Sequence, residues 1–364
     1  MTELIERIHQ SAGRFSLAIT GGGSQAISDL LAVPGASATV LEATVPYHAS
    51  ALTDYLGHAP ESAASAITAR NLAMASWLRA RAIANRHDQI YGLGAVSALS
   101  TKRDRRGENR CFIAIQSAFH TSEISLILGK GGRERREEER LVADLILHYM
   151  AKSCGLETMV PEFPETPVER EHQACDKWAR LLIGDFTSTD SGNQPLTLFP
   201  GAFNPIHRGH QEMIPYAENL LGRKVSLEIS IRNVDKPPID FLAMQERQEQ
   251  LGDYSVIFSN APTFLEKARV FPQCCFIVGT DTLLRIANKK YYGDDQNQMI
   301  AAIDEMYDLG CRMLVFGREV GGQFLTLDDL TLPNRLKQLC TGVGGDDFRE
   351  DISSSAIRRG LLRV

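Results

Sequence analysis

Two histidines, His207 and His210, follow a short apolar run that ends in Pro200-Gly201. The stretch reads Leu196-Thr-Leu-Phe-Pro-Gly-Ala-Phe-Asn-Pro-Ile-His-Arg-Gly-His210. That pattern predicts a buried strand, a tight turn and a helix that starts at the histidines. A helix start presents unpaired N–H groups and the positive end of the helix dipole, which suits an anion. Two imidazoles add donors that can follow charge as it develops on a phosphate. Farther along, Ser353, Ser354 and Ser355 precede Arg358 in Asp351-Ile-Ser-Ser-Ser-Ala-Ile-Arg358. Serines opening a helix offer hydroxyl and backbone donors, and an arginine about one turn in can reach the same phosphates. Gly279-Thr-Asp281 and Asn233-Val-Asp-Lys236 each follow a predicted strand.

Taken singly, these residues have plainer readings. Either histidine could cap a helix or fill a core, Asp281 before Leu283-Leu284 is good capping chemistry, and Lys236 could be a solvated loop lysine. Order and spacing favour chemistry. The histidine and serine motifs stand about 150 residues apart, at opposite ends of one alternating βα segment.

The elements that must position these residues fall into two α/β halves. In residues 1–157, Phe15–Thr20 reads as a strand ending at Gly21-Gly22-Gly23, and Ser24 caps a helix to about Leu31. Ala38–Val45, Gln89–Val96, Arg110–Gln116 and Ser122–Leu128 read as further strands, and Ala66–Asn85 as a long helix. The charge run Arg133–Arg140 opens a helix to about Cys154, with opposite charges at helical spacing that suit a solvated face. Residues 158–194 read as a linker region, with Pro161, Pro164 and Pro167 early, Thr187–Pro195 late, and a helix of about Glu169–Leu182 between. From residue 195 to 364 the βα alternation resumes: strands Val225–Ile231, Cys275–Val278 and Arg312–Phe316, a helix Phe241–Leu251, and a last helix from Ser353. Such alternation implies a parallel sheet with its site at the strands' C-terminal ends.

With 364 residues the chain is long enough for two cores. A net charge of -6 makes nucleic acid an unexpected partner. No apolar run reaches the length of a membrane span, and the first residues mix charges where a signal peptide would be apolar. Seven cysteines without CxxC pairing read as reduced thiols of a cytoplasmic protein, and no protein-held metal site is expected.

The stretch 200–210 resembles the HxGH signature of the nucleotidyltransferase superfamily, and 351–358 its ISSTxIR motif, with Ser355 where threonine is usual. Gly279-Thr-Asp281 resembles the GxD segment of nicotinamide and nicotinate mononucleotide adenylyltransferases. The resemblance spans roughly residues 195–362 and implies a Rossmann-like fold. It also implies attack by an acceptor phosphate on the α-phosphorus of ATP or another nucleoside triphosphate, accompanied by Mg²⁺, with release of pyrophosphate. It places His207, His210 and Arg358 in catalysis, and Gly201, Ala202, Phe203, Gly279, Asp281, Ser353 and Ser354 at the nucleotide. Asn204 and Lys236 would face a phosphorylated small-molecule acceptor. The implied acceptor is nicotinamide or nicotinate mononucleotide, although Tyr291-Tyr292 stands where that group usually has tryptophan. A cytidylyltransferase acting on a small phosphorylated alcohol is the alternative. A homo-oligomer is left open.

In the first half, Ala18-Ile-Thr-Gly-Gly-Gly-Ser24, Val33-Pro-Gly-Ala-Ser-Ala38 and Val45-Pro-Tyr-His-Ala-Ser-Ala-Leu52 resemble, in order and spacing, another family. It is the C-terminal domain of competence-damage-inducible proteins, the nicotinamide-nucleotide amidases, and the match spans roughly residues 5–155. Ala18 stands where that family has its proposed nucleophilic serine, Leu17 at its glutamate and Leu52 at its lysine. Without nucleophile and base, acyl transfer has no chemistry to use. The glycine loop could cradle a phosphate, or the half could dimerise or regulate. The remaining alternatives are an amidase that uses Ser24, Ser97 or Ser100 with His48 or His120, and a nucleotide-binding regulatory protein.

Overall fold

The computed structural model describes residues 1–85, 88–102, 106–190, 196–233, 236–320 and 322–349. These form two compact units, Met1–Ala179 with Asp235–Met244, and Arg180–Val234 with Gln245–Val364.

The first unit is built on strands β1 (Gly13–Thr20), β2 (Val40–Thr44), β3 (Gln89–Ala98), β4 (Asn109–Gln116), β5 (His120–Leu128) and β6 (Val168–Gln173), in the order β2-β1-β3-β4-β5-β6. The β1 strand runs parallel to both neighbours, and the pairs from β3 to β6 are antiparallel. Its helices are α1 (Thr2–Gln10), α2 (Gln25–Ala32), α3 (Ala49–Leu56), α4 (Ala66–Ile83), α5 (Arg135–Ser153) and α6 (Asp176–Ile183), the last of which runs on into the second unit. Because side chains alternate along a strand, β1 faces two cores. Phe15, Leu17 and Ile19 pack with Ile5 and Ile8 of α1 and Val142 and Ile146 of α5. The small Ala18 packs on the other side with Leu52 of α3 and Leu72 and Ala73 of α4.

Two sequence expectations change here. The segment expected to be helical from Glu169 is strand β6 up to Gln173, paired with β5, and the helix begins only at Asp176. An exposed edge strand of charged residues lacks the alternation that would reveal it. The charge run at 133–140 is also more than a solvated face. Glu138 is fully buried and accepts hydrogen bonds from Asn109 Nδ2 (2.7 Å) and the Ser100 N–H (2.5 Å). Arg135 donates to the Gly21 carbonyl at 2.7 Å. Close packing explains the glycine loop. Gly21 has φ 77, and a Cβ there would lie 1.9 Å from the Ser97 carbonyl oxygen. A Cβ at Gly22 would lie 2.3 Å from Leu99, and one at Gly23 2.6 Å from Val142. The stretch ending at Met244 joins this unit through Asp240, 3.4 Å from the buried Arg70, and through the Phe241 N–H, which donates to Thr121 Oγ1.

The second unit contains β7 (Thr197–Pro200), α7 (Arg208–Leu221), β8 (Val225–Ser230), α8 (Phe241–Leu251, whose first residues belong to the first unit), β9 (Val256–Ser259) and α9 (Phe264–Val270). These are followed by β10 (Cys275–Gly279), α10 (Thr280–Ile286), α11 (Gln296–Asp308), β11 (Arg312–Phe316), the β12 (Arg318–Val320) and β13 (Gln323–Leu325) hairpin, α12 (Asn334–Leu339) and β14 (Cys340–Gly342). The main sheet is parallel throughout, in the order β14-β11-β10-β7-β8-β9. Its core holds Leu198, Phe276, Val278, Met313 and Val315 against Met306 of α11 and Leu336 and Leu339 of α12. From β7 the chain first winds outward through β8 and β9, then returns to β10 on the other side of β7. The strand order therefore reverses between β7 and β10. In doubly wound sheets the crevice outside the strands' C-terminal ends at that point is where ligands bind.

Candidate active site

The β7 strand buries Leu198 and Phe199 and ends at Pro200. The Gly201 N–H then donates to the Glu228 carbonyl at 2.9 Å, which holds the turn to β8. Phe203 sits in the left-handed region (φ 43) with its ring buried. A Cβ on Gly201 would meet that ring at 2.8 Å, so the missing side chain makes room for Phe203. Phe199, Phe203 and His210 contact one another edge to face, with centroids 5.1–5.5 Å apart. The Phe203 side chain thus supports His210, while Ala202 and Asn204 are exposed on the turn.

His207 is the N-cap of α7 and His210 its third residue. Their rings stack, 3.6 Å between centroids and 26° between planes, and the His207 N–H points to His210 Nδ1 at 3.4 Å. His207 is 2% exposed, and its buried Nδ1 has no hydrogen-bond partner. Burial, reinforced by the nearby Arg318 charge, pushes the His207 imidazole down to about 4. Burial, His207 and Arg318 together push His210 to about 3. Both rings are therefore neutral near pH 7, each with one N–H to donate.

Across the crevice, Gly279 ends β10 and is the N-cap of α10. Asp281 lies in the first turn of α10, half exposed, with Arg285 3.9 Å away. Arg318, at the start of β12, was not singled out by the sequence. Its guanidinium donates to Met213 Sδ of α7 at 3.7 Å. A Cβ on Gly279 would lie 2.6 Å from Asp281 Oδ1, 3.0 Å from Arg318 Cγ and 3.2 Å from Arg318 Nε. The signal that could have found Arg318 is a cation one residue beyond Gly317, at the C-terminal end of a predicted parallel strand.

The structure thus gathers Gly201, Ala202, Phe203, Asn204, His207 and His210 after β7, and Gly279 and Asp281 after the adjoining β10. Lys236 is exposed and falls in the stretch Asp235–Met244, which groups with the first unit. Ser353, Ser354 and Arg358 lie outside the described residues. In the first unit, His48 caps α3 by accepting from the Ser50 N–H, His120 lies 3.4 Å from Glu171, and Ser24 donates to Glu139.

A family profile described as cytidylyltransferase-like matches residues 198–360, from β7 through the serine motif. A Schizosaccharomyces pombe protein described as a candidate nicotinamide mononucleotide adenylyltransferase is 30% identical over 179 residues, 42% of this chain and 68% of that protein. The chain belongs to the cytidylyltransferase-like family and is a nucleotidyltransferase. Among solved structures, the competence/damage inducible protein CihA from Agrobacterium tumefaciens is similar at 18% identity, covering 42% of this chain and 91% of that one, with a TM-score of 0.31. A competence-damaged protein (CinA) superfamily member from Escherichia coli is similar at 14% identity, covering 42% and 84%, with a TM-score of 0.30.

Proposed function

We propose that the second unit transfers AMP from ATP to nicotinamide or nicotinate mononucleotide and releases pyrophosphate. The observation that carries this reading is the stacked His207–His210 pair at the start of α7, beside the crevice where the strand order reverses. The buried His207 Nδ1 lacks a partner, and a buried polar atom without one calls for a ligand or water. The resemblance of Gly279-Thr-Asp281 and the Schizosaccharomyces pombe relative support the choice of acceptor.

In this reading an oxygen of the acceptor phosphate attacks the α-phosphorus, a new P–O bond forms, and the bond to the leaving pyrophosphate breaks. No covalent intermediate with the protein is needed. The protein's work is to align the two phosphates and to meet the growing negative charge with donors already in place. The histidines supply neutral N–H donors, and α7 supplies its free backbone N–H groups and dipole. Ser354 and Arg358 are assigned to the leaving phosphates, and Ser353 to the nucleotide, by their motif. Mg²⁺ would arrive with the triphosphate and neutralise part of its charge. No group of three His, Cys, Asp or Glu able to hold a metal occurs among the described residues. Among the described residues no helix is long and apolar enough to cross a membrane.

The test is pyrophosphate release with Mg²⁺, crossing ATP and CTP with nicotinamide mononucleotide, nicotinate mononucleotide, phosphopantetheine, phosphocholine and glycerol phosphate. Release with ATP and one pyridine mononucleotide, lost in His210→Ala, supports the reading. Release with CTP would keep the chemistry and replace the substrates. Silence across the grid would overturn the reading.

A further inference from the structure

We infer that Arg318 is a phosphate-binding residue of the nucleotidyl site, reaching from the end of β11 across β10 to the histidine pair and meeting the pyrophosphate portion of the triphosphate. The inference rests on the nucleotidyl-transfer reading and adds a residue that neither sequence motif contains.

The topology makes the reach specific. The β11 strand lies beside β10, and β10 beside β7, all parallel, so their C-terminal ends line one edge. Arg318 begins on the far side of β10 from the histidines. Its aliphatic stem passes over Gly279, where a Cβ would lie 3.0 Å from Arg318 Cγ. Its guanidinium ends against Met213, one turn into α7 from His210. The charge is thereby carried to the start of α7, where the dipole end and two imidazole donors already favour an anion. Placed beside neutral histidines, it supplies the full positive charge that they do not. A guanidinium also offers forked donors that match phosphate oxygens.

Gly279 is explained by the same arrangement. A side chain there would meet the Arg318 stem close to its base, where it cannot swing aside freely, and would press on Asp281 Oδ1 at 2.6 Å. Gly279→Ala should therefore shift Arg318 and weaken the same ligand.

The probe is inorganic pyrophosphate with Mg²⁺, titrated calorimetrically into the full chain. Loss of a charge-assisted contact predicts binding about ten- to a hundredfold weaker in Arg318→Met, with Arg318→Lys between it and the parent, and Gly279→Ala weakened in the same direction. Thermal unfolding of each variant checks that the fold is kept. Unchanged pyrophosphate binding in folded Arg318→Met, or no pyrophosphate binding by the parent, overturns the inference. Binding that depends on Arg318, with no nucleotide–acceptor pair turning over, upholds the residue and removes the proposed reaction. Turnover together with indifference to Arg318→Met does the reverse.

Discussion

The imidazoles of His207 and His210 lie face to face, 3.6 Å between ring centroids, with Arg318 as the nearby cation that disfavours charge on both. Two stacked rings beside a guanidinium cannot both hold protons at low cost, so without a bound anion both are neutral near pH 7. An incoming phosphate would reverse that field, because its negative charge favours the protonated imidazole.

His210→Ala should lower kcat by about 10²–10³, the usual loss when one transition-state donor is removed. His210→Asn keeps an N–H donor without a titratable ring and should retain more activity than alanine. Steady-state pyrophosphate release with each variant checks the ranking; equal loss would mean that the donor is not what the site needs.

Stability should fall as pH drops from about 6.5 toward 3. The folded-state histidines sit at about 4 and about 3, below the ordinary value near 6.5. Between those limits the unfolded chain binds more protons than the folded one, so ∂ΔG/∂pH is positive and acid favours unfolding. Urea midpoints measured from pH 7 to pH 4 should decline less steeply in the His207→Gln/His210→Gln double variant than in the parent.

Lys267→Met should destabilise the second unit by about 3–5 kcal/mol, because it leaves a fully buried carboxylate without its cation. Lys267 Nζ donates to both Glu228 carboxylate oxygens, at 2.8 and 2.7 Å, and to the Ala261 carbonyl at 2.7 Å. Glu228 is also the residue whose carbonyl accepts from the Gly201 N–H. Adding Glu228→Leu should recover much of the loss, and denaturant unfolding of single and double variants checks the pairing.

Gly21→Ala should destabilise the first unit by about 2 kcal/mol or more, since its left-handed backbone and the Ser97 carbonyl both oppose a side chain. Pyrophosphate release measured below the unfolding transition should be unaffected. A stable Gly21→Ala protein would show that the loop has more room than this packing allows.

Much of the fold was legible because burial imprints local patterns. The stretch 241–251 carries the pattern of the helix that α8 is, and Cys275–Val278 and Arg312–Phe316 carry that of the strands β10 and β11. Patterning failed where burial and polarity part company. The stretch Val-Glu-Arg-Glu-His-Gln carries no apolar face, because as an edge strand it buries little. Glu138 sits in a run of charges that looks solvated, yet it is buried because Asn109 and Ser100 satisfy its carboxylate.

By itself the sequence determined the order of the βα units, the turn that brings two histidines to a helix start, and the phosphate chemistry those residue types can perform. These are local consequences of chain stiffness, periodicity and donor inventory. Only the tertiary structure decided that the two rings stack and stay neutral, that Phe203 packs edge to face against His210, and that Arg318 crosses Gly279 toward α7. Arg318 stands more than a hundred residues after the histidines, and no local pattern encodes which strand will lie beside which. That neighbourhood is set by how the parallel sheet closes its core, and it places the charge in the site.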